Sequence, residues 1–189
     1  MEQGKRLSLD RVYSVFVIDP PYPQTKGGKR KVRPKQGKSL SYRTMSLDEI
    51  FLLLDKEIFS KADNPHTVFL WCIDKFLHET EAYMSWRHYR LHARLIWDKT
   101  NGIAPAFTVR YSHEYLLWYY KPKFMPINED FRGKYTTVFV EDAREHSRKP
   151  DVAYEMINNL YPDLPKVDVF SRERRVGFDQ FGDQCNFFD

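Results

Sequence analysis

The sequence predicts an α/β domain, with a largely parallel sheet and helices on both faces. Strand-like runs of β-branched and aromatic residues alternate with runs of helical periodicity, the pattern of βαβ units. At 189 residues, 42% hydrophobic and 16% aromatic, the chain has the size of one domain and the apolar material for a core. A single domain over 1–189 is therefore expected, carrying one basic, flexible loop at about 24–41.

Tyr13 to Ile18 is β-branched and aromatic and stops at a double proline, as a buried strand ending in a loop does. Ser46-Leu47-Asp48-Glu49 reads as a capping box, and Leu47, Ile50, Phe51, Leu54 and Ile58 follow at helical spacing. His66 to Cys72 is a second strand. Asp74 to Tyr89 reads as a helix with Phe76, Leu77, Tyr83, Met84 and Trp86 as its apolar material. Leu91 to Trp97, Glu114 to Tyr120 and Tyr135 to Val140 read as strands. Pro150 suits the first position of a helix whose inner face is Met156, Ile157 and Leu160, and Val167 to Phe170 is a last short strand. In such sheets ligands collect beyond the carboxyl ends of strands, which singles out the loops after Ile18 and after Phe170.

The net charge of +4 hides an asymmetry. Eight of the 30 Lys and Arg residues, Lys26, Lys29, Arg30, Lys31, Arg33, Lys35, Lys38 and Arg43, fall between Pro20 and Leu47 with no acidic residue among them. A concentrated cationic segment directly after a candidate catalytic loop suits a polyanion, so nucleic acid is the expected partner. No run of eighteen apolar residues occurs, so no membrane span is expected. The N-terminus shows no secretory signal, and Cys72 and Cys185 form no disulfide framework. An intracellular setting is expected, the cytoplasm for a prokaryotic or phage source. The histidines show no ligand spacing, and no catalytic metal is expected.

Asp19-Pro20-Pro21-Tyr22 is the candidate catalytic loop: such a tetrapeptide merely ends a strand in many loops, but here it stands between a buried strand and a cationic segment. The lone pair of an adenine amine is delocalised into the ring. Two hydrogen-bond acceptors on its N–H groups localise that pair and stabilise the charge that develops as a methyl group arrives. The Asp19 carboxylate can be one acceptor and the Pro20 carbonyl the other. Pro20 and Pro21 stiffen the backbone, and Tyr22 offers a face on which an extruded base can stack.

These residues resemble the adenine-N6 methyltransferase family that includes the catalytic subunit of the eukaryotic messenger-RNA N6-adenosine methyltransferase and many small bacterial and phage enzymes. The likeness continues through Tyr42 to Ser46 with Glu49-Ile50, and through Phe69-Leu70-Trp71. It goes on through Trp97, Lys99, Gly102, Arg110, His113, Glu114, Leu116 and Leu117. It ends with Glu145 to Asp151 and with Val169 to Arg172, Gly177 and Gly182. It runs in family order from about Val15 to Gln184.

The resemblance implies a Rossmann-like fold dependent on S-adenosylmethionine, with the catalytic motif preceding the cofactor motif. It implies cofactor contacts at Ile18, Asp19, Lys149, Asp168, Phe170, Arg172, Arg174, Arg175, Asp183 and Gln184, with Gly177 and Gly182 letting backbone approach. Lys149 and the arginines would pair with the methionine carboxylate, and Asp183 or Gln184 would hold the ribose. The substrate would meet His113 and Glu114 near the base, and Lys26, Lys29, Arg30, Lys31 and Arg33 along the phosphates. Family members often work as dimers, so a homo- or heterodimer is an expectation.

Tyr22 stands where the family usually has tryptophan, although Asp-Pro-Pro-Tyr is common in bacterial DNA amino-methyltransferases. DNA is accordingly favoured over RNA. Phe178 and Phe181 replace tryptophans, and Asp183 replaces an asparagine. Cytosine-N4 methylation is one rival, but it usually carries serine where Asp19 stands. A non-catalytic nucleic-acid-binding subunit is another, but such members have lost the acidic residue or the prolines. A phosphate-cradling nucleotide-binding loop is a third, and Lys26-Gly27-Gly28-Lys29 does not match one.

Overall fold

The computed structural model describes residues 11–23, 43–100, 109, 111–144, 148–185 and 187. Within them one sheet is built from β1 (Tyr13–Ile18), β2 (Ala62–Cys72), β3 (Arg90–Asp98), β4 (His113–Lys121), β5 (Val138–Val140), β6 (Lys166–Val169) and β7 (Asp179–Phe181). The strand order is β5-β3-β4-β2-β1-β6-β7. Pairings β1–β2, β1–β6, β6–β7 and β3–β5 are parallel, and β4 runs antiparallel to both of its neighbours, β2 and β3. The sheet is thus mostly parallel, as expected, with one reversed strand that the apolar pattern did not reveal.

β1 lies inside the sheet, and all six of its residues are buried. That is why it reads as a continuous apolar run rather than an alternating one. Its side chains still alternate in space. Phe16 and Ile18 pack with Ile50, Leu54, Ile58, Tyr83 and Met84, from helices α1 (Leu47–Leu53) and α2 (Leu77–Trp86) and the turn that prolongs α1. Val15 and Val17 pack with Ala153, Tyr154, Met156, Ile157 and Leu160 from α3 (Asp151–Leu160). Helices therefore cover both faces, and truncating a β1 core residue to alanine would cost about 2–5 kcal/mol.

The capping box forms. Glu49 N–H donates to Ser46 Oγ at 3.2 Å, and Ser46 N–H donates to Glu49 Oε2 at 2.7 Å. Beyond Leu53 the helix widens into a π turn over Leu54–Ile58, then tightens over Phe59–Lys61. The wider turn offsets the angular drift that four-residue spacing accumulates in an α-helix, and Ile50, Leu54 and Ile58 all end fully buried. The helix expected to reach Tyr89 ends at Trp86, which is 70% exposed instead of facing inward. There the chain turns back through His88, whose φ is 62°. Pro150 is the N-cap of α3, not its first turn. The short β7 was not foreseen, being only three residues long.

Pairing of Ile18 with Val169 sets the carboxyl ends of β1 and β6 side by side. The Asp19 amide continues the ladder, donating to the Val169 carbonyl at 3.1 Å. The chain leaves β1 toward β2 on one side and leaves β6 toward β7 on the other, and such a switch in strand order opens a crevice. Among the described residues no helix is long and apolar enough to cross a membrane.

Candidate active site

The loop after β1 is rigid for reasons beyond its prolines. Tyr22 N–H donates to the Pro20 carbonyl at 2.8 Å, a tight turn that aims this carbonyl and leaves it a second lone pair. The Pro21 carbonyl accepts from Met45 N–H at 2.9 Å. Tyr22 itself is only 8% exposed. Its ring stacks on Phe76 at 5.1 Å and 14°, and its hydroxyl donates to the Trp71 carbonyl at 3.1 Å. This corrects the expectation of an aromatic platform open to a base: the Tyr22 ring is part of the core and locks the loop from beneath.

Asp19 faces Lys149, the second residue before α3. Lys149 Nζ lies 2.9 Å from Asp19 Oδ1 and 3.1 Å from Glu114 Oε2. Lys99 Nζ lies 2.5 Å from the other oxygen of Glu114. Two carboxylates and two ammoniums thus form one chain of alternating charge. Side-chain exposure is 20% at Asp19 and 10% at Lys149, so water screens the pairs little. Burial pushes the Asp19 carboxyl up, opposed by Lys149. Burial also acts against ionised Glu114, but Lys149 and Lys99 outweigh it and hold that carboxyl below its ordinary value. Lys149 is held above the ordinary lysine range because Asp19 and Glu114 overcome the effect of its burial. Its ammonium also sits 5.4 Å from the Trp71 ring centroid. The Lys149 carbonyl is gripped by Arg144 Nη2 at 3.1 Å and by Arg175 Nη2 at 3.0 Å.

The β6 end closes the other side. Asp168 is 3% exposed and accepts from the Tyr154 hydroxyl at 3.3 Å. Burial pushes its carboxyl up to about 7. Phe170 leaves the strand with φ 63°, and its amide donates to the Phe181 carbonyl at 2.6 Å. Asp19, Lys149, Asp168, Phe170, Arg172 and Arg175 line one cavity, joined by Arg148, Tyr154, Ser171 and Glu173. The two loops that the sequence singled out therefore share a cleft.

Other expected cofactor contacts fall elsewhere. The Ile18 side chain is fully buried in the core, while Arg174 and Asp183 are exposed and Gln184 is half-buried. None of these four lines the cavity. Arg175 lines it, but its donors are taken by Asp151 Oδ1 at 2.8 Å, Glu173 Oε2 at 2.9 Å and the Lys149 carbonyl. Its guanidinium lies 3.7 Å from the centroid of the Tyr154 ring. It clamps neighbouring segments of the protein together at the edge of the cavity. Gly182 is approached by protein backbone: a Cβ there would meet Phe170 Cα, Ser171 N and Ser171 O, each at 3.2 Å. At Gly177, with φ +85°, a Cβ would meet Asn158 Oδ1 at 2.8 Å.

Of the expected substrate contacts, Glu114 stands in the charge chain. His113 packs edge-on against Tyr115 at 5.0 Å, away from the cavity lining. Lys26, Lys29, Arg30, Lys31 and Arg33 lie outside the described residues. Lys99, Trp71 and Tyr154 are site residues to which sequence reasoning gave no role. Lys99 meets Glu114 only through the β3–β4 register, which no local pattern displays. Among the described residues no group of three or more His, Cys, Asp or Glu is placed to hold a metal ion.

Comparison with known proteins bears on the same residues. An MT-A70-like N(6)-adenosine-methyltransferase of Arabidopsis thaliana is 25% identical over 96% of this chain, which spans 25% of that protein. MT-A70-like proteins of Medicago truncatula and Oryza sativa subsp. japonica are 27% and 26% identical over 78% of the chain. The chain spans about a quarter of the length of these relatives. Residues 13–184, from the first strand to the turn beyond the last, match the family described as MT-A70, and the chain belongs to that family.

Proposed function

We propose that this chain transfers a methyl group from S-adenosylmethionine to the N6 amine of an adenine in nucleic acid. The observation that carries this reading is the shared cleft. Asp19, fixed after β1, lines the same cavity as Asp168, Phe170 and Arg172 at the end of β6. The residues there suit the cofactor. Asp168 is an acceptor for hydroxyl or ammonium groups and Arg172 a cation for a carboxylate, while Lys149 is held between Asp19 and Glu114.

When bound, S-adenosylmethionine supplies an electrophilic methyl group on a sulfonium. The protein's part is to orient the amine. Asp19 spends Oδ1 on Lys149, which leaves Oδ2 to accept one N6 hydrogen. The Pro20 carbonyl, aimed by the Tyr22 amide, accepts the other with its remaining lone pair. Both acceptors are in place beforehand, which is where such stabilisation is worth most. As the N–C bond formed, the sulfonium S–C bond would break and leave a neutral thioether, the nitrogen would turn positive, and Asp19 Oδ2 would be placed to take its proton. Burial pushes the Asp19 carboxyl up, and the Lys149 ammonium opposes this by favouring the ionised form.

DNA is the acceptor polymer we favour, because the Tyr22 form of the motif resembles bacterial DNA amino-methyltransferases. RNA is the second reading, favoured by the names of the relatives, which specify adenosine, a ribonucleoside. Incubation with labelled S-adenosylmethionine and matched DNA and RNA oligonucleotides, followed by nucleoside mass analysis, tests both. The expected product is N6-methylated adenine, in the deoxynucleoside for DNA. Methylated cytosine, or no transfer to any oligonucleotide, would overturn the proposal. A thermal shift with S-adenosylmethionine separates an enzyme from a subunit that binds only nucleic acid.

A further inference from the structure

β3 and β4 are antiparallel neighbours in a register that sets Trp97 opposite Glu114 and Asp98 opposite His113. Lys99 is the first residue beyond that ladder, and its amide donates to the Ser112 carbonyl at 2.9 Å. Its side chain reaches back to the ladder, placing Nζ 5.1 Å from the Trp97 ring centroid and 2.5 Å from Glu114 Oε1. Glu114 Oε2 takes Lys149 at 3.1 Å, and Lys149 takes Asp19 at 2.9 Å. Each oxygen of Glu114 therefore holds one ammonium. Lys99 is not among the residues that line the cavity, so it reaches the site only through Glu114.

We propose that Lys99 is a positioning residue of the methyl-transfer site: by holding one oxygen of Glu114 it fixes the other, and so fixes the Lys149 ammonium against Asp19. This rests on the methyltransferase reading. The argument is one of charge and shared partners. With Lys99 present, two carboxylates meet two ammoniums. Without it, Glu114 and Asp19 compete for the single ammonium of Lys149. Glu114, freed on one side, can swing and draw Lys149 away from the catalytic loop. Among the described residues, the charged and titratable groups facing Glu114 are Lys99 from the end of β3, Lys149 before α3, Asp19 after β1 and the Cys72 thiol at the end of β2. Two of them are cations, and deleting one raises the proton affinity of the carboxyl.

The test compares Lys99→Met, Lys99→Gln and Lys99→Arg with the wild type in two measurements. Carboxyl carbon-13 NMR follows the titration of Glu114 and needs no turnover. Steady-state kinetics use labelled S-adenosylmethionine with the oligonucleotide that the wild type methylates, beside calorimetric binding of S-adenosylmethionine alone. In the Met and Gln variants, Glu114 should bind its proton about tenfold more tightly and kcat should fall about tenfold, while cofactor Kd stays within about twofold. The acid limb of the pH–rate profile should move toward neutrality, and Lys99→Arg should restore both properties. An unmoved Glu114 titration, or a loss of kcat that arginine does not rescue, overturns the proposal. Should the Met variant fail to fold, the Gln variant carries the same comparison. A wild type without turnover would sink the methyltransferase reading itself. The Glu114 titration would then judge the Lys99 coupling alone, a shift supporting it and its absence refuting it.

Discussion

Lys149 Nζ and Asp19 Oδ1 stand 2.9 Å apart, joining the residue before the Pro150 cap of α3 to the residue after β1. The pair fixes the direction in which the second Asp19 oxygen points. Asp19→Asn keeps the shape of the side chain and removes its charge. Turnover should fall by about 10²-fold or more, since the amide weakens the acceptor aimed at the developing charge. Cofactor binding by calorimetry and the circular dichroism spectrum should change little. Substantial residual turnover would remove Asp19 from the catalytic role.

Lys149→Met poses a harsher problem. It takes their shared ammonium from two mostly buried carboxylates, leaving Glu114 the Lys99 ammonium and Asp19 the Coulombic pull of Arg172. Breaking a buried ion pair by deleting one partner costs about 3–5 kcal/mol. The loss should be larger at pH 8 than at pH 5, because protonation relieves the stranded carboxylates at the lower pH. Urea denaturation at the two pH values measures it. A loss independent of pH would mean that packing against Trp71 matters more than charge.

Asp168 gives a stability prediction of definite sign. In an unfolded chain an aspartate titrates near pH 3.9. In the fold, burial pushes Asp168 up to about 7. Between these values the unfolded chain ionises while the folded one holds its proton, so stability drains away as pH rises through the window and levels off above it. Asp168→Asn cannot ionise and escapes that loss. The variant should match the wild type near pH 4 and exceed it above pH 7 by an amount on the order of a few kcal/mol. Parallel pH profiles for the two proteins would refute this.

Much of this architecture was legible, and the gaps have physical causes. β1 was readable because an interior strand of a parallel sheet must be apolar on both faces, and the double proline marks its end. The capping box was readable because Ser46 and Glu49 act on each other across one turn. The meeting of Asp19 with the β6 turn followed from strand order in α/β sheets once a family likeness ordered the motifs. What escaped depends on contacts across the fold. The reversal of β4 leaves no trace in its apolar pattern, since a strand buried on both faces looks alike in either direction. Arg175 and Arg172 are alike in the sequence. In the fold Arg175 pairs with Asp151 and Glu173, while Arg172 lies over the Phe187 ring. Lys99 was visible as a motif residue, but its partner is set by hairpin register.

Tyr22 allows its two roles to be separated. A stacking platform for a base would act on the substrate, whereas a lock beneath the loop acts on Pro20. In this structure the ring lies against Phe76 and the hydroxyl holds the Trp71 carbonyl. Tyr22→Phe keeps the stack and loses the hydrogen bond, and should cost about 1 kcal/mol of stability with turnover largely retained. Tyr22→Leu loses the stack as well, so the Pro20 carbonyl is no longer held in line. Its kcat should fall while KM for the oligonucleotide stays near the wild-type value, because the acceptor is misaimed while the surface that meets the polymer is unchanged. A rise in oligonucleotide KM at constant kcat would instead assign the ring to the base, and would require the loop to open on binding.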